Sequence, residues 1–359
     1  MTTISDVARR ASVTPATVSN VISGKVRVRE ATRDRVLMAI AELDYRPNLV
    51  ARGLARGRSE VLALLLPDIA NPYHAELARE VENIAYAHGY RLLVRATAYD
   101  VGAGRAYLRD LADRQVDGLL VMGGGLAGAD VREGIVQGTE QGPAIVLCNW
   151  EEDVTRLAAE ESPPTVGLDF AYGAALAARH LLRLGHHRIA AIVHGTTPDC
   201  VVHTARLRGF STALAGVGVR LDDGDVCYGD SSSESGYAAA TALLTRPERP
   251  TAIFATNDLM ALGALAAAYD QGVRVPDELA VIGFDNIAMG AYVRPALTTV
   301  GAPTRDLAIE AMAMLLRGVD GQEQRVRHLS VRPSLIVRGS TTSPGRAPSW
   351  AARPGDVLP

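Results

Sequence analysis

The sequence predicts an α/β protein carrying a separate helical headpiece, and three observations lead there. Residues 4–43 hold only short amphipathic helical patterns, residues 61–290 alternate apolar runs with helical stretches, and the runs form two series parted at Ser162-Pro163-Pro164. Strands alternating with helices imply parallel sheets covered on both faces. The expected organisation is a headpiece at residues 1–45, a connector at 46–60, a two-lobed domain at 61–339 and a tail at 340–359. The first lobe is expected at about residues 61–163 plus 291–322, the second at about 164–290 plus 323–339.

In the headpiece, Ile4, Val7, Ala8 and Ala11 share one helical face, and Ser12-Val13 is a turn-length gap. Thr14 then suits an N-cap and Pro15 the first helical position, where a missing N–H costs nothing. Val18, Val21 and Ile22 form the apolar stripe of this second helix. Its outer face, Pro15, Ala16, Thr17, Ser19 and Asn20, is small and uncharged. A third helix is expected from about Glu30 to Leu43, with Val36, Leu37, Ile40 and Leu43 inward. Two short helices joined by a tight turn make a helix-turn-helix, whose second helix reads the major groove. Thr17, Ser19 and Asn20 suit that role, since asparagine pairs bidentately with adenine.

The connector contains Pro47, which can open a helix, and Val50, Ala51 and Leu54 on one face, but the run is short and holds Gly53. Isolated helices of under about 10 residues are marginal in water, so this hinge is expected to fold only against a partner. Beyond it, strands are predicted at Val61–Leu66, Arg91–Ala96, Gly118–Met122 and Ala144–Cys148, then at Thr165–Leu168, Arg188–Val193, Asp225–Tyr228, Ala252–Ala255 and Leu279–Gly283. Residues 296–338 add a strand, the helix Thr304–Arg317 and two more strands. From about Ser340 the chain is rich in Pro, Gly, Ser and Ala without periodicity, and is expected to be disordered.

With 359 residues and 48% hydrophobic content the chain can bury sizeable cores, which excludes a disordered or fibrous protein. The net charge of -3 hides an asymmetry: residues 1–60 hold 11 Lys and Arg against 6 Asp and Glu, leaving -8 for the rest. The basic end is the helix-turn-helix end, as phosphate neutralisation requires. Lys25 is the single lysine, so phosphate contacts would fall to arginines. No signal-peptide core or membrane-length apolar run is present, which predicts a cytoplasmic protein without a membrane partner. Cys148, Cys200 and Cys227 fit neither a zinc site nor a disulfide framework and read as reduced thiols.

Catalytic readings are weak. Gly123, Gly125 and Gly128 match a dinucleotide fingerprint, but follow the third strand of the lobe, and Asn149 stands where a ribose-binding acid would be needed. His186-His187 lack a third ligand at metal spacing, and no Ser, His and Asp set forms a triad. No catalytic residue, cofactor or metal is therefore assigned, and the chain is not expected to be an enzyme. A solute-binding module without a DNA role is the other alternative, disfavoured by the basic headpiece.

Several ordered motifs point further: Ile4-Ser5-Asp6-Val7-Ala8, Ala16-Thr17-Val18-Ser19, Tyr45-Arg46-Pro47-Asn48, Asn71-Pro72-Tyr73, Leu184-Gly185-His186, Thr256-Asn257-Asp258, Val275-Pro276-Asp277 and Gly283-Phe284-Asp285. With these the chain, from residue 3 to about 338, resembles the LacI/GalR family of bacterial transcription factors. The resemblance implies a helix-turn-helix headpiece, a hinge helix and a two-lobed periplasmic-binding-protein-like domain of two parallel-sheet α/β lobes, assembled as a homodimer. It also implies a ligand-responsive repressor that binds a near-palindromic double-stranded DNA operator under control of a small effector, a sugar or related metabolite.

Carried onto this sequence, the family's base-reading positions are Pro15, Ala16 and Asn20, with Asn20 where many members have arginine. Further DNA contacts are implied for Ser5, Thr17 and Ser19, and in the hinge for Asn48, Ala51 and Leu54, the last being the leucine that wedges into the minor groove. Effector contacts are implied for Tyr73, His74, Asn149, Arg206, Asn257 and Asp285. Where sugar-binding members often place a stacking aromatic, this chain has Ser231, which cannot stack on a ring.

Overall fold

The computed structural model describes residues 2–23, 26–45, 58–113, 116–123, 126, 131, 142–149, 163–195, 204–301, 303–322 and 327–341. Two compact units separate, Met1–Ser59 and Glu60–Pro359. The hinge residues Asn48, Ala51 and Leu54 lie outside the described residues, as do Cys200, Gly125 and Gly128.

The first unit contains helices α1 (Ile4–Arg10), α2 (Pro15–Ser23) and α3 (Glu30–Glu42). A reciprocal capping box starts α1: the Asp6 N–H donates to the Thr3 hydroxyl at 3.3 Å and the Thr3 N–H to the Asp6 carboxylate at 3.0 Å. Ser12, at φ 53°, turns the chain, and the Thr14 hydroxyl accepts the Thr17 N–H at 3.2 Å to open α2. Val7, Ala8, Ala11, Val18, Val36 and Ala39 form the buried core. Leu37, expected inward, is instead 45% exposed. The facing stripe of α3 runs Val36, Ala39, Ile40, Leu43, and Leu37 falls beside it.

The second unit holds two six-stranded sheets. Strands β1 (Val61–Leu66), β2 (Arg91–Ala96), β3 (Gly118–Met122) and β4 (Ala144–Cys148) alternate with α4 (Pro72–Ala87) and α5 (Val101–Asp113). They are followed by β5 (Thr165–Leu168), α6 (Phe170–Arg183), β6 (Ile189–His194), α7 (Thr204–Ala215), β7 (Val226–Gly229), α8 (Ser233–Leu244), β8 (Ala252–Ala255), α9 (Asp258–Asp270) and β9 (Ala280–Phe284). The last elements are β10 (Thr298–Gly301), α10 (Thr304–Val319), β11 (His328–Val331) and β12 (Ser334–Ile336). The first sheet is ordered β11-β5-β4-β3-β1-β2, and its pairs are all parallel. The second is ordered β12-β10-β9-β8-β6-β7, with β12 antiparallel to β10. Runs such as Val61-Leu-Ala-Leu-Leu-Leu66 are apolar throughout because a parallel strand is covered on both faces.

Lobe membership differs from the sequence expectation at three places. Thr165–Leu168 belongs to the first sheet: Leu147 N–H donates to the Pro164 carbonyl at 2.8 Å and Asn149 N–H to Val166 at 2.7 Å, so the strand is laddered to β4. The chain first crosses to the second lobe at Asp169, which caps α6 by accepting the Tyr172 N–H. Strand β10 completes the second sheet beside β9, not the first. Strand β11 returns to the first sheet beside β5, while β12 stays with the second. Ser340 and Thr341, expected in the disordered tail, are buried: the Ser340 hydroxyl donates to the Val281 carbonyl at 2.5 Å, and Thr341 bonds Thr298 at 2.9 Å.

Helices α8 and α9 approach closely because each presents a glycine to the other. A Cβ on Gly236 would meet the Met260 backbone, and one on Gly263 the Ser233 carbonyl. Backbone cannot yield as a flexible side chain does, so Gly263→Ala should force the helices apart and destabilise the second unit by about 1–3 kcal/mol. A lowered midpoint in chemical or thermal unfolding is the expected result.

Candidate functional site

A set of polar residues of the second unit gathers at the carboxyl ends of the strands, where open α/β sheets place ligands. From the first lobe come Asp68 after β1, Tyr99 after β2, Asn149 after β4, and Tyr73 and His74 in the first turn of α4. From the second come His194 ending β6, Ser231 after β7, Asn257 after β8, Asp285 after β9 and Arg206 in α7. Tyr73, His74, Asn149, Arg206, Asn257 and Asp285 are all buried.

Arg206 is the centre of this set. Its Nη1 donates to the Thr256 carbonyl at 2.8 Å, and its Nη2 lies 3.7 Å from the Asp285 carboxylate. The guanidinium carbon sits 4.6 Å from the Phe170 ring centroid and 4.4 Å from that of Phe284. The cation lies over the faces of two neighbouring rings, which attract it, while its edge hydrogen-bonds. Removing one partner of a buried pair strands the other charge, typically at about 3–5 kcal/mol.

Across from it, the Nδ1–H of His74 donates to the Asp68 carbonyl at 2.8 Å, which fixes the neutral tautomer and leaves Nε2 an acceptor. Burial lowers the His74 pKa to about 4, assisted by Arg206 and opposed by Asp68. Burial also pushes the Tyr73 phenol well above its ordinary range, with the Asp285 charge adding to it.

Tyr99 and His194 meet between the lobes, ring centroids 4.4 Å apart. Ser231 Oγ lies 2.8 Å from His194 Nδ1, and Ser231 also hydrogen-bonds the Tyr99 hydroxyl. Burial holds the His194 pKa down to about 4 and pushes Tyr99 up to about 12. Tyr99, Asn149, Ser231 and Asp285 have φ of 60°, 54°, 73° and 118°. Non-glycine residues in this region store strain of order 1–3 kcal/mol each and cluster at functional sites.

Sequence reasoning did not single out Tyr99 or His194. Their signal was position, the last residue of a strand or the loop just after it. Asn257 turns out to be structural as well: its Oδ1 caps α9 by accepting the Met260 N–H at 2.8 Å, and its Nδ2 donates to the Ser231 carbonyl at 3.1 Å. Asp285 pairs with Arg206 rather than capping a helix.

In the first unit, Pro15, Ala16 and Ser19 are exposed on α2, and Thr17 and Asn20 half-buried. Ser5 is exposed on α1. Among the described residues no group of three or more His, Cys, Asp or Glu could hold a metal, and no helix is long and apolar enough to cross a membrane. His186 Nδ1 instead lies 3.0 Å from the Thr251 hydroxyl.

A helix-turn-helix unit followed by a two-lobed domain with polar groups converging at its strand ends defines a ligand-responsive, sequence-specific DNA-binding protein. Residues 3–48 match bacterial regulatory proteins of the lacI family, and residues 178–341 match the periplasmic binding protein-like domain. The chain belongs to the LacI family of transcriptional regulators. Catabolite control protein A of Priestia megaterium is 37% identical, over 88% of this chain and 92% of its own. The transcriptional repressor PurR of Photobacterium profundum is 35% identical, over 95% and 98%, and CytR of Escherichia coli K12 34%, over 94% and 96%. Among solved structures, a lac repressor dimer bound to operator and the anti-inducer ONPF is similar with TM-score 0.82 and 26% identity, covering 95% of this chain and 99% of that one. A complex of the regulator CelR with cellobiose gives 0.67 and 30%, covering 95% and 100%.

Burial lowers the pKa values of His74, His180 and His194 from 6.5 to about 4. Below pH 6.5 the unfolded chain takes up protons that the folded chain refuses, so stability falls as pH drops from about 6.5 towards 4. Denaturant midpoints at pH 7 and pH 5 should differ accordingly. His180→Gln should shrink that difference, and an unchanged slope would remove His180 from the cause.

Proposed function

We propose that the chain is a cytoplasmic, dimeric repressor, not an enzyme, whose two headpieces read a near-palindromic operator under control of a small polar effector, a sugar or related metabolite, held between the lobes. The observation that carries this reading is the pairing, in one chain, of an exposed recognition helix with a buried, ring-stacked Arg206–Asp285 pair at the strand ends. On the DNA side, Pro15, Ala16, Thr17, Ser19 and Asn20 approach base edges and Ser5 a phosphate. A two-fold dimer places two such helices on half-sites about one helical turn apart or a multiple of it.

Asn48, Ala51 and Leu54 form the link in this reading. The hinge folds when two copies meet on the operator, where Leu54 opens the central step. An effector that alters the relation between the lobes then acts on the hinge without touching DNA. Tyr73, His74, Asn149, Arg206 and Asp285 are the effector contacts, with Asn257 holding the wall.

Mobility shift on promoter DNA tests the whole reading, since an enzyme or a plain solute binder would give no specific complex. Asn20→Ala should weaken operator binding by about 1–3 kcal/mol per half-site and relax preference at one symmetric pair of positions, one in each half-site. Selection from random DNA sequences reads this directly, and an unaltered preference removes Asn20 from the reading set. Arg206→Gln should keep operator affinity in the absence of effector and abolish the effector's influence on it. A variant that still responds like the parent would show the effector site to lie elsewhere.

A further inference from the structure

We infer that Asp258 is a positioning residue of the cleft: from the start of α9 it holds the turn after β9 in the conformation that keeps Asp285 against Arg206. This rests on the assignment of the cleft as the effector site. An acidic residue in the first turn of a helix ordinarily serves that helix, through its free N–H groups and its dipole. In α9 the capping bond comes from Asn257, whose Oδ1 accepts the Met260 N–H. The Asp258 carboxyl, fully buried, is turned to its neighbours instead: Oδ2 accepts the Ile287 N–H at 2.8 Å and Oδ1 the Thr299 hydroxyl at 2.5 Å.

Thr299 Oγ1 in turn accepts the Asn286 N–H at 3.3 Å. Both amides that follow Asp285 are thus tied to Asp258, one directly and one through a hydroxyl. Strand β9 leaves room for the carboxyl, since a Cβ on Gly283 would run into Asp258 Oδ1. Burial pushes the Asp258 carboxyl well above its ordinary range, and the Asp285 charge pushes it further, so the two groups lie in one field.

The turn needs such a brace. Asp285 and Asn286 are consecutive non-glycine residues at φ 118° and 58°, and residues of this kind persist only where their surroundings over-determine them. The Asp285 N–H donates to the Val300 carbonyl at 2.7 Å, which fixes the strand end before the strained pair, and Arg338 Nη2 donates to Asn286 Oδ1 at 2.8 Å. Asp258 fixes the backbone that comes after it. The same helix start braces a second strained residue of the cleft, since Asn257 Nδ2 donates to the carbonyl of Ser231, at φ 73°.

Crystal structures of full-length Asp258→Asn, Thr299→Val and Thr299→Ser test this without a ligand. Asparagine puts an N–H where a donor now points, and valine removes the hydroxyl between Asp258 and Asn286 while serine keeps it. The Asp285 carboxylate should leave Arg206 in the first two variants and stay in the third. A pair still at 3.7 Å in Asp258→Asn, or in Thr299→Val where Asp258→Asn does not fold, overturns the inference. Thermal protection by a bacterial small-molecule extract reads the function, each variant being compared with its own unprotected midpoint. Asp258→Asn should need extract at least about 10-fold more concentrated than the parent for the same shift. It should add nothing to Asp285→Asn in the double variant, because a residue that acts through Asp285 has no effect once that carboxylate is gone. A further loss in the double variant overturns the positioning role. Protection of Asp285→Asn equal to that of the parent overturns the cleft assignment instead, and the crystals alone then decide whether Asp258 places Asp285.

Discussion

A guanidinium taken out of water needs compensating contacts, and the second lobe draws several of them together around Arg206. The cation comes from α7, its carbonyl acceptor from the end of β8, its counterion from the end of β9, and its stacking rings from β9 and the start of α6. Four separate pieces of the fold are thus held in register by one side chain. Asp285, which pairs with the cation, has its backbone at φ 118°. Tyr73 and His74 of the first lobe sit within its field.

Periodicity revealed the elements far better than their partners. Strand β1 and helix α2 could be read residue by residue, because a fully apolar run and an i, i+3, i+4 stripe are local signals. Sheet membership is not local: Thr165–Leu168 looked like the opening of a second series after Pro163-Pro164, yet its ladder runs to β4. Leu37 shows the same limit at smaller scale, where one residue of angular offset moved a leucine from core to surface. Arg206 and Asp285 came from resemblance to a family, since their spacing of 79 positions carries no periodic signal. Tyr99 and His194 belong to the site through where their strands end, which depends on the sheet order and not on their residue types.

The two recognition surfaces solve opposite solvation problems. On the outer face of α2, Pro15, Ala16 and Ser19 are open to solvent, and in the proposed reading they exchange water for base edges at little desolvation cost. The cleft is built from polar groups already stripped of water, so a ligand that fails to satisfy them is rejected strongly. Discrimination among small molecules needs the second arrangement; sampling many DNA sites in succession needs the first.

The threading of the chain through both sheets governs when the protein can mature during synthesis. The first sheet lacks its edge strand until residues 328–331 are made, and the second lacks its antiparallel edge until 334–336. Helix α10, which packs on α4 and β4 of the first lobe, is also made only after β10 of the second. Both lobes therefore finish within a few residues of each other, while the N-terminal helices, whose core among the described residues is drawn from residues 4–45, are complete long before. A nascent chain passes through an interval in which its DNA-reading unit is folded and the domain that governs it is not.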